Sequence, residues 1–107
     1  MTSFQHLNAT AAQEMLAEPH HIADIRDPAS FQAGRMVGAQ RLDNSNVAQF
    51  IAATPKDQPL IVCCYHGNSS QSAAQFFAEQ GFETVYSLDG GYELWKAQYP
   101  ALCEHGD

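Results

Sequence analysis

A cysteine at the end of an apolar run is the residue of this chain best suited to covalent chemistry. Leu60-Ile61-Val62-Cys63-Cys64 is followed by Tyr65-His66-Gly67-Asn68-Ser69-Ser70. The first stretch has the composition of a buried strand, and the Ala/Gln/Phe pattern after Ser70 suits a helix. Cys64 is therefore expected where a strand gives way to a loop and a helix N-terminus, beneath converging backbone N–H groups. Such a place binds anions and lowers a thiol's pKa. Cys64 is the candidate nucleophile.

The loop has the parts an anion cradle needs. Gly67 opens backbone angles closed to other residues, and Asn68 tolerates the left-handed region. Ser69 and Ser70 can cap the helix, and their hydroxyls can hydrogen-bond a sulfur anion. The amides of Tyr65, His66, Gly67, Asn68 and Ser69 are the expected holders of negative charge. The loop contains no Lys or Arg, and the residue six places after Cys64 is Ser70. A cysteine phosphatase there uses an Arg, whose planar fork clamps phosphate. Phosphatase or arsenate reductase chemistry is disfavoured, and a small anion or a bound sulfur atom fits better.

Other readings of these residues are blander. A buried core thiol is the simplest alternative for Cys64. Cys63 points to the opposite face by strand alternation and reads as core. His66 either tunes the thiolate or merely shapes the loop. Cys63, Cys64 and His66, or Cys103 with His105, fit no structural zinc spacing, and no metal is expected. Asp24 and Arg26 share a face and read as a pair fixing the loop after their strand. Tyr65 and Phe31 could border the site's mouth. Trp95 reads as a core anchor.

The elements that must position Cys64 follow from the pattern of the chain. Thr10-Ala11-Ala12-Gln13 reads as a capping box opening a helix to about Glu18, ended by Pro19. His21–Ile25 reads as a strand, Ala29–Ala33 as a helical turn and Val37–Leu42 as another strand. Asn46–Ala53 is helical, with Val47, Phe50 and Ile51 on one face. Pro59–Cys64 is a strand apolar on both faces, as in a parallel sheet. A helix from Ser69 or Ser70 to Gln80 stops at Gly81, Thr84–Ser87 is a strand, and Asp89-Gly90-Gly91 turns into a last helix, Tyr92–Gln98. Strands alternating with helices indicate an α/β fold with a mainly parallel sheet, whose ligands bind at the carboxyl ends of the strands.

Composition bounds the function further. The 107 residues allow one domain, and 45% hydrophobic with 16% charged residues describes an ordinary folded globule. The formal charge is −7, and Arg26, Arg35, Arg41, Lys56 and Lys96 are scattered, so no nucleic-acid partner is expected. No apolar run is long enough to span a bilayer, and the N-terminus lacks a basic and apolar leader, so no membrane association is expected. Three cysteines, two of them adjacent, do not suit a disulfide framework. A cytoplasmic protein with reduced thiols is the expectation.

Three stretches together resemble the rhodanese family. Asp24-Ile25-Arg26-Asp27-Pro28-Ala29-Ser30-Phe31-Gln32-Ala33-Gly34, running on to Gly38-Ala39, is similar to the family's N-terminal signature. Cys64-Tyr65-His66-Gly67-Asn68-Ser69-Ser70 is similar to the active loop of its small single-domain bacterial members. Val85-Tyr86-Ser87-Leu88-Asp89-Gly90-Gly91-Tyr92-Glu93-Leu94-Trp95 is similar to the C-terminal signature. Arg35 departs from the His usual after the glycine of the first motif, which bears on packing more than on chemistry.

The resemblance implies a single rhodanese domain over residues 1–107 with its core at about 4–100. It implies a thiosulfate sulfurtransferase with a ping-pong reaction. The Cys64 thiolate would attack the outer sulfur of thiosulfate, release sulfite, and pass the persulfide sulfur to cyanide or to a thiol acceptor such as thioredoxin or a dithiol. No cofactor is implied. The alternative is a persulfide carrier or docking module that delivers sulfur to a partner protein.

Overall fold

The apolar run Leu60–Cys63 forms a strand with every residue buried, and the rest of the fold is arranged around it. The computed structural model describes residues 3–106. In chain order the elements are β1 (Gln5–Leu7), α1 (Ala9–Met15), β2 (His21–Asp24), α2 (Pro28–Ala33), β3 (Arg35–Met36), β4 (Ala39–Arg41) and α3 (Val47–Ala53). β5 (Leu60–Cys63), α4 (Ser69–Glu79), β6 (Val85–Leu88), α5 (Gly91–Gln98), a 3₁₀ turn at Pro100–Leu102 and β7 (Cys103–Glu104) complete it.

Five strands pair in the order β1-β6-β5-β2-β4. Each of these pairings is parallel, and β5 lies at the centre. β3 and β7 form a separate antiparallel pair. The single-domain α/β architecture with a mainly parallel sheet is the one the element pattern requires.

The sheet buries both faces, and strand alternation decides which side chain goes where. Ile22, Ile61, Cys63 and Leu88 pack with Trp95 and Tyr92 of α5 and Ala12 of α1. Ala23, Leu60, Val62 and Val85 pack with Phe50 of α3 and Phe77 of α4 on the other side. Continued by one residue, this alternation turns Cys64 to the α4 side and leaves Cys63 against α5. Trp95 is fully buried, as a core anchor should be.

The loop after β2 is fixed by a buried ion pair. Arg26 donates from Nη2 to Asp24 Oδ2 at 2.8 Å and from Nε to Oδ1 at 3.0 Å. Nη2 also donates to the Gly34 carbonyl at 2.6 Å, which ties the start of α2 to its end. The guanidinium lies 4.3 Å from the centre of the Tyr92 ring, so α5 rests on the same group. Asp27 caps α2, its carboxylate accepting from the Ser30 amide at 3.0 Å.

Three local expectations require correction. The cap of α1 is Asn8, whose side chain accepts from the Ala11 amide at 2.8 Å, and the helix ends at Met15. Thr10 lies inside its first turn, because an Asn just upstream supplies the stronger cap. The expected Val37–Leu42 strand is interrupted by Gly38 at φ +82°, and β3 and β4 lie on either side of that break in two different sheets. β1 and β7 match no element expected from the sequence, because three and two residues are too short to show a period. Among the described residues no helix is long and apolar enough to cross a membrane.

The ion pair sets a stability test. Asp24→Asn leaves the Arg26 charge buried and uncompensated, and is expected to cost about 3–5 kcal/mol in urea denaturation. Lys96→Ala removes an exposed pair with Glu93 and a cation contact 5.9 Å from the centre of the Tyr92 ring, and is expected to cost less than about 1 kcal/mol.

Candidate active site

Cys64 leaves β5 at the carboxyl end of the sheet and is held from two directions. From α5, the Tyr92 amide donates to the Cys64 carbonyl at 2.8 Å and the Glu93 amide to the Tyr65 carbonyl at 3.1 Å. The backbones approach so closely that a Cβ on Gly91 would lie 2.5 Å from the Tyr65 carbonyl carbon, and Gly91 has φ +60°. From the loop and the first turn of α4, the Gly67 and Ser70 amides each donate to Cys64 Sγ at 3.2 Å. Gly67 has φ +90°, and a Cβ there would lie 2.9 Å from the Gly90 nitrogen. Only glycine fits either place without displacing the backbone that holds the sulfur.

The sulfur occupies the position of a helix cap. Asn68 is the N-cap residue of α4 and makes no side-chain capping bond. The free donors of the first turn therefore need an acceptor, and the Ser70 amide finds it in Sγ. The positive end of the helix lies against the same atom. Cys64 is 2% exposed. That burial by itself opposes ionisation, but the Gly67 and Ser70 amides hydrogen-bond the sulfur, and with the polar groups of Ser70 and His66 around it they outweigh burial, so the thiol pKa is lowered. Cys63 is the opposite case. Burial first, then the neighbouring Asp24, push its thiol well above the ordinary value, and its Sγ rests 3.6 Å from the Cys64 carbonyl.

The loop residues divide by role. Gly67 reaches the sulfur through its amide, and the His66 amide adds to the polar surroundings that favour the thiolate. Tyr65 instead donates its hydroxyl to the Asp27 carboxylate, and the Asp27 amide donates back to it at 3.3 Å. Tyr65 and Ser30 together hold the Asp27 carboxyl well below the usual carboxylate range. Asn68 takes a right-handed conformation, φ −93°, at the start of α4. Ser69 begins the helix, its carbonyl accepting from Ser72, and neither its side chain nor that of Ser70 caps the helix. The Ser70 hydroxyl is directed inward, 2.8 Å from Ser87 Oγ. Asp24 and Arg26 remain with each other rather than with Cys64. A cavity of about 240 Å³ lies beside the loop, lined in part by Arg26, Ser30, Tyr65, Tyr92, Glu93 and Lys96.

Sequence reasoning missed two parts of this arrangement. Gly91 reads as half of a turn, and its real constraint is the approach of α5 to the loop. Ser87 reads as an ordinary strand residue. A signal for it was present: a small polar residue in a strand otherwise made of Val85, Tyr86 and Leu88.

The family model for the rhodanese-like domain matches residues 8–98. The thiosulfate sulfurtransferase GlpE of Pseudomonas aeruginosa (strain LESB58) is 50% identical over 105 residues, covering 98% of this chain and 96% of the relative. The protein of the same name from Pseudomonas fluorescens (strain SBW25) is 49% identical over 107 residues, covering 100% and 98%. Among solved structures, a rhodanese-related protein from Thermoplasma volcanium superposes with a TM-score of 0.76 at 23% identity, over 89% of this chain and 93% of that one, a likeness of fold. A rhodanese-like domain from Anabaena gives 0.81 at 25% identity, over 94% and 78%. With the family model spanning most of its length and relatives at half identity along nearly all of it, the chain belongs to the rhodanese-like domain family.

Proposed function

We propose that this protein is a thiosulfate sulfurtransferase that carries sulfur as a persulfide on Cys64. The observation that supports this most is the pair of amides, Gly67 and Ser70, each 3.2 Å from Cys64 Sγ at the start of α4. They favour the thiolate, which is the nucleophilic form. The relatives at half identity, named for the thiosulfate reaction, supply the substrate.

The reaction has two halves. In the first, Cys64 Sγ attacks the outer sulfur of thiosulfate. The new Sγ–S bond forms as the S–S bond of thiosulfate breaks, and sulfite leaves with the electron pair. The negative charge moves from Sγ to the outer sulfur of the persulfide. In the second, cyanide takes that outer sulfur as thiocyanate and the Cys64 thiolate returns. A thiol acceptor, such as thioredoxin or a small dithiol, would attack the same outer sulfur. The Gly67 and Ser70 amides are already aimed at Sγ before the attack, so they hold its negative charge without reorganisation in the nucleophilic step. Free thiols persist most readily in a reducing compartment, which favours the cytoplasm.

Intact mass after incubation with thiosulfate tests this reading. Wild type is expected to gain the mass of one sulfur atom and to lose it on adding cyanide, while Cys64→Ser gains nothing. No adduct on wild type, or an adduct on Cys64→Ser, would overturn it. Turnover with thiosulfate and cyanide alone separates an enzyme from a carrier that needs its protein partner.

Two further outcomes follow from the cradle. The lowered thiol pKa means the thiolate persists to lower pH than an ordinary cysteine would allow. The rate of sulfur loading should therefore rise with pH and level off below the ordinary thiol range, in stopped-flow measurements across pH. Gly67→Ala displaces one sulfur donor, and is expected to slow loading on the order of 10²-fold and to move that plateau to higher pH.

A further inference from the structure

Gln71 is the third residue of α4, and its side chain turns back over the active-site loop. Its Nε2 donates to the Gly67 carbonyl at 3.0 Å, while its own amide donates to the Asn68 carbonyl at 3.2 Å. A glutamine at this helix position ordinarily reaches back to the amide of the capping residue. Here it passes the N-cap residue Asn68 and meets a carbonyl one place earlier. Gly67 is buried, and a buried carbonyl left without a donor is costly. Gln71 supplies a donor from a half-buried side chain.

Gly67 joins two peptide planes. The plane on its amino side presents the N–H that meets Cys64 Sγ at 3.2 Å. The plane on its carboxyl side presents the oxygen that Gln71 holds. Two torsions connect them, and in glycine both turn over the widest range. At φ +90° the residue already occupies a region that only glycine enters freely. Holding the carbonyl plane against α4 removes part of the freedom with which the amide could turn off the sulfur. The first turn of α4 therefore acts twice: its Ser70 amide bonds Sγ directly, and its Gln71 side chain secures the other donor. Donors fixed before charge appears stabilise it without reorganisation.

We propose that Gln71 is a positioning residue for the Cys64 anion, acting through the Gly67 peptide: its side-chain amide holds the Gly67 carbonyl so that the Gly67 N–H stays on the sulfur. The proposal rests on the reading of Cys64 as the sulfur-carrying thiolate. In this role Gln71 bonds Gly67 and not the sulfur. Its loss therefore loosens one donor and leaves the Ser70 amide in place.

The test measures the acidity of Cys64 without sulfur transfer. The pH dependence of iodoacetamide alkylation at Cys64 is read by peptide mass for wild type, Gln71→Met, Gln71→Glu and Gln75→Met. Gln71→Met keeps the length of the side chain and removes the donor. It is expected to raise the midpoint by about half a unit, roughly a threefold fall in thiolate fraction below it. Gln75 lies one turn further along α4, where its Nε2 donates to Glu79 at 3.0 Å. Gln75→Met makes the same change away from the loop and is expected to leave the midpoint where it is. Gln71→Glu has the shape of the native residue, and as a carboxylate it cannot donate. Its midpoint should lie at least as high as that of Gln71→Met, even where Gln71→Met is poorly folded. The Gly67 amide resonance in ¹⁵N-labelled protein is followed over the same pH range. In wild type it should move as Cys64 ionises, and in Gln71→Met it should move less. A wild-type midpoint in either Gln71 variant, an equal shift in Gln75→Met, or a Gly67 resonance that moves as far in Gln71→Met as in wild type would overturn the proposal. Sulfur loading by mass fails or succeeds independently of these midpoints, so the role of Gln71 and the sulfurtransferase reading stand or fall separately.

Discussion

The first turn of α4 needs an acceptor for its free amides, and the chain supplies a sulfur atom instead of a side-chain oxygen. That substitution explains much of the surrounding architecture. β5 must end at Cys64 so that alternation turns the side chain toward α4. The loop must be short and must contain Gly67, because the amide has to point inward past the backbone of Gly90. α5 must start with Gly91, because its amides brace the loop from the far side at a separation that excludes a Cβ. A serine or aspartate capping α4 in the ordinary way would take the donors that now stabilise the anion.

Adjacent positions on one strand receive opposite treatment. Cys63 and Cys64 are both buried and differ by one residue, yet one thiol is pushed up and the other down. The difference is in the partners available on each face of the sheet. The α5 face offers Cys63 an apolar wall and a nearby carboxylate, both of which disfavour a negative sulfur. The α4 face offers Cys64 the Gly67 and Ser70 amides. Burial raises a thiol's pKa unless donors meet the charge, so reactivity here comes from hydrogen bonding and not from exposure.

The fold and the centre of the site were legible in the sequence because both rest on strong periodic signals. The apolar run at Leu60–Cys63 marks a central parallel strand, and its alternation assigns Cys64 and Cys63 to different faces. The helices around Phe50 and Phe77 declare themselves by their apolar spacing. The parts that were not legible are those set by tertiary contact. β1 and β7 are strands because an edge lies open to them, with only a few residues each. Gly38 cuts the expected Val37–Leu42 strand down to Ala39–Arg41, and the two residues before it, Arg35 and Met36, pair in the other sheet. Which amides face the sulfur depends on how the loop closes, and composition left Tyr65 and Ser69 equal to Gly67. The partnership of Ser70 and Ser87 joins an element boundary to a strand interior, and neither residue's neighbours in sequence specify it.

The all-parallel sheet also has a kinetic meaning. Parallel neighbours cannot be joined by a tight hairpin, so each pairing closes a long loop before its contacts form. β1 pairs with β6, which brings together residues about 80 positions apart, and β5 cannot be flanked until β2 and β6 have both arrived. Proteins dominated by such distant contacts fold slowly compared with helical bundles. The hexapeptide from Cys64 to Ser69 is local, but the residues that hold it in shape come from α5 and from the strands on either side. In a partly folded chain its cysteine would have the acidity of a thiol in a flexible peptide. Chemical competence therefore arrives late in folding, and a nascent or damaged molecule carries a comparatively inert thiol.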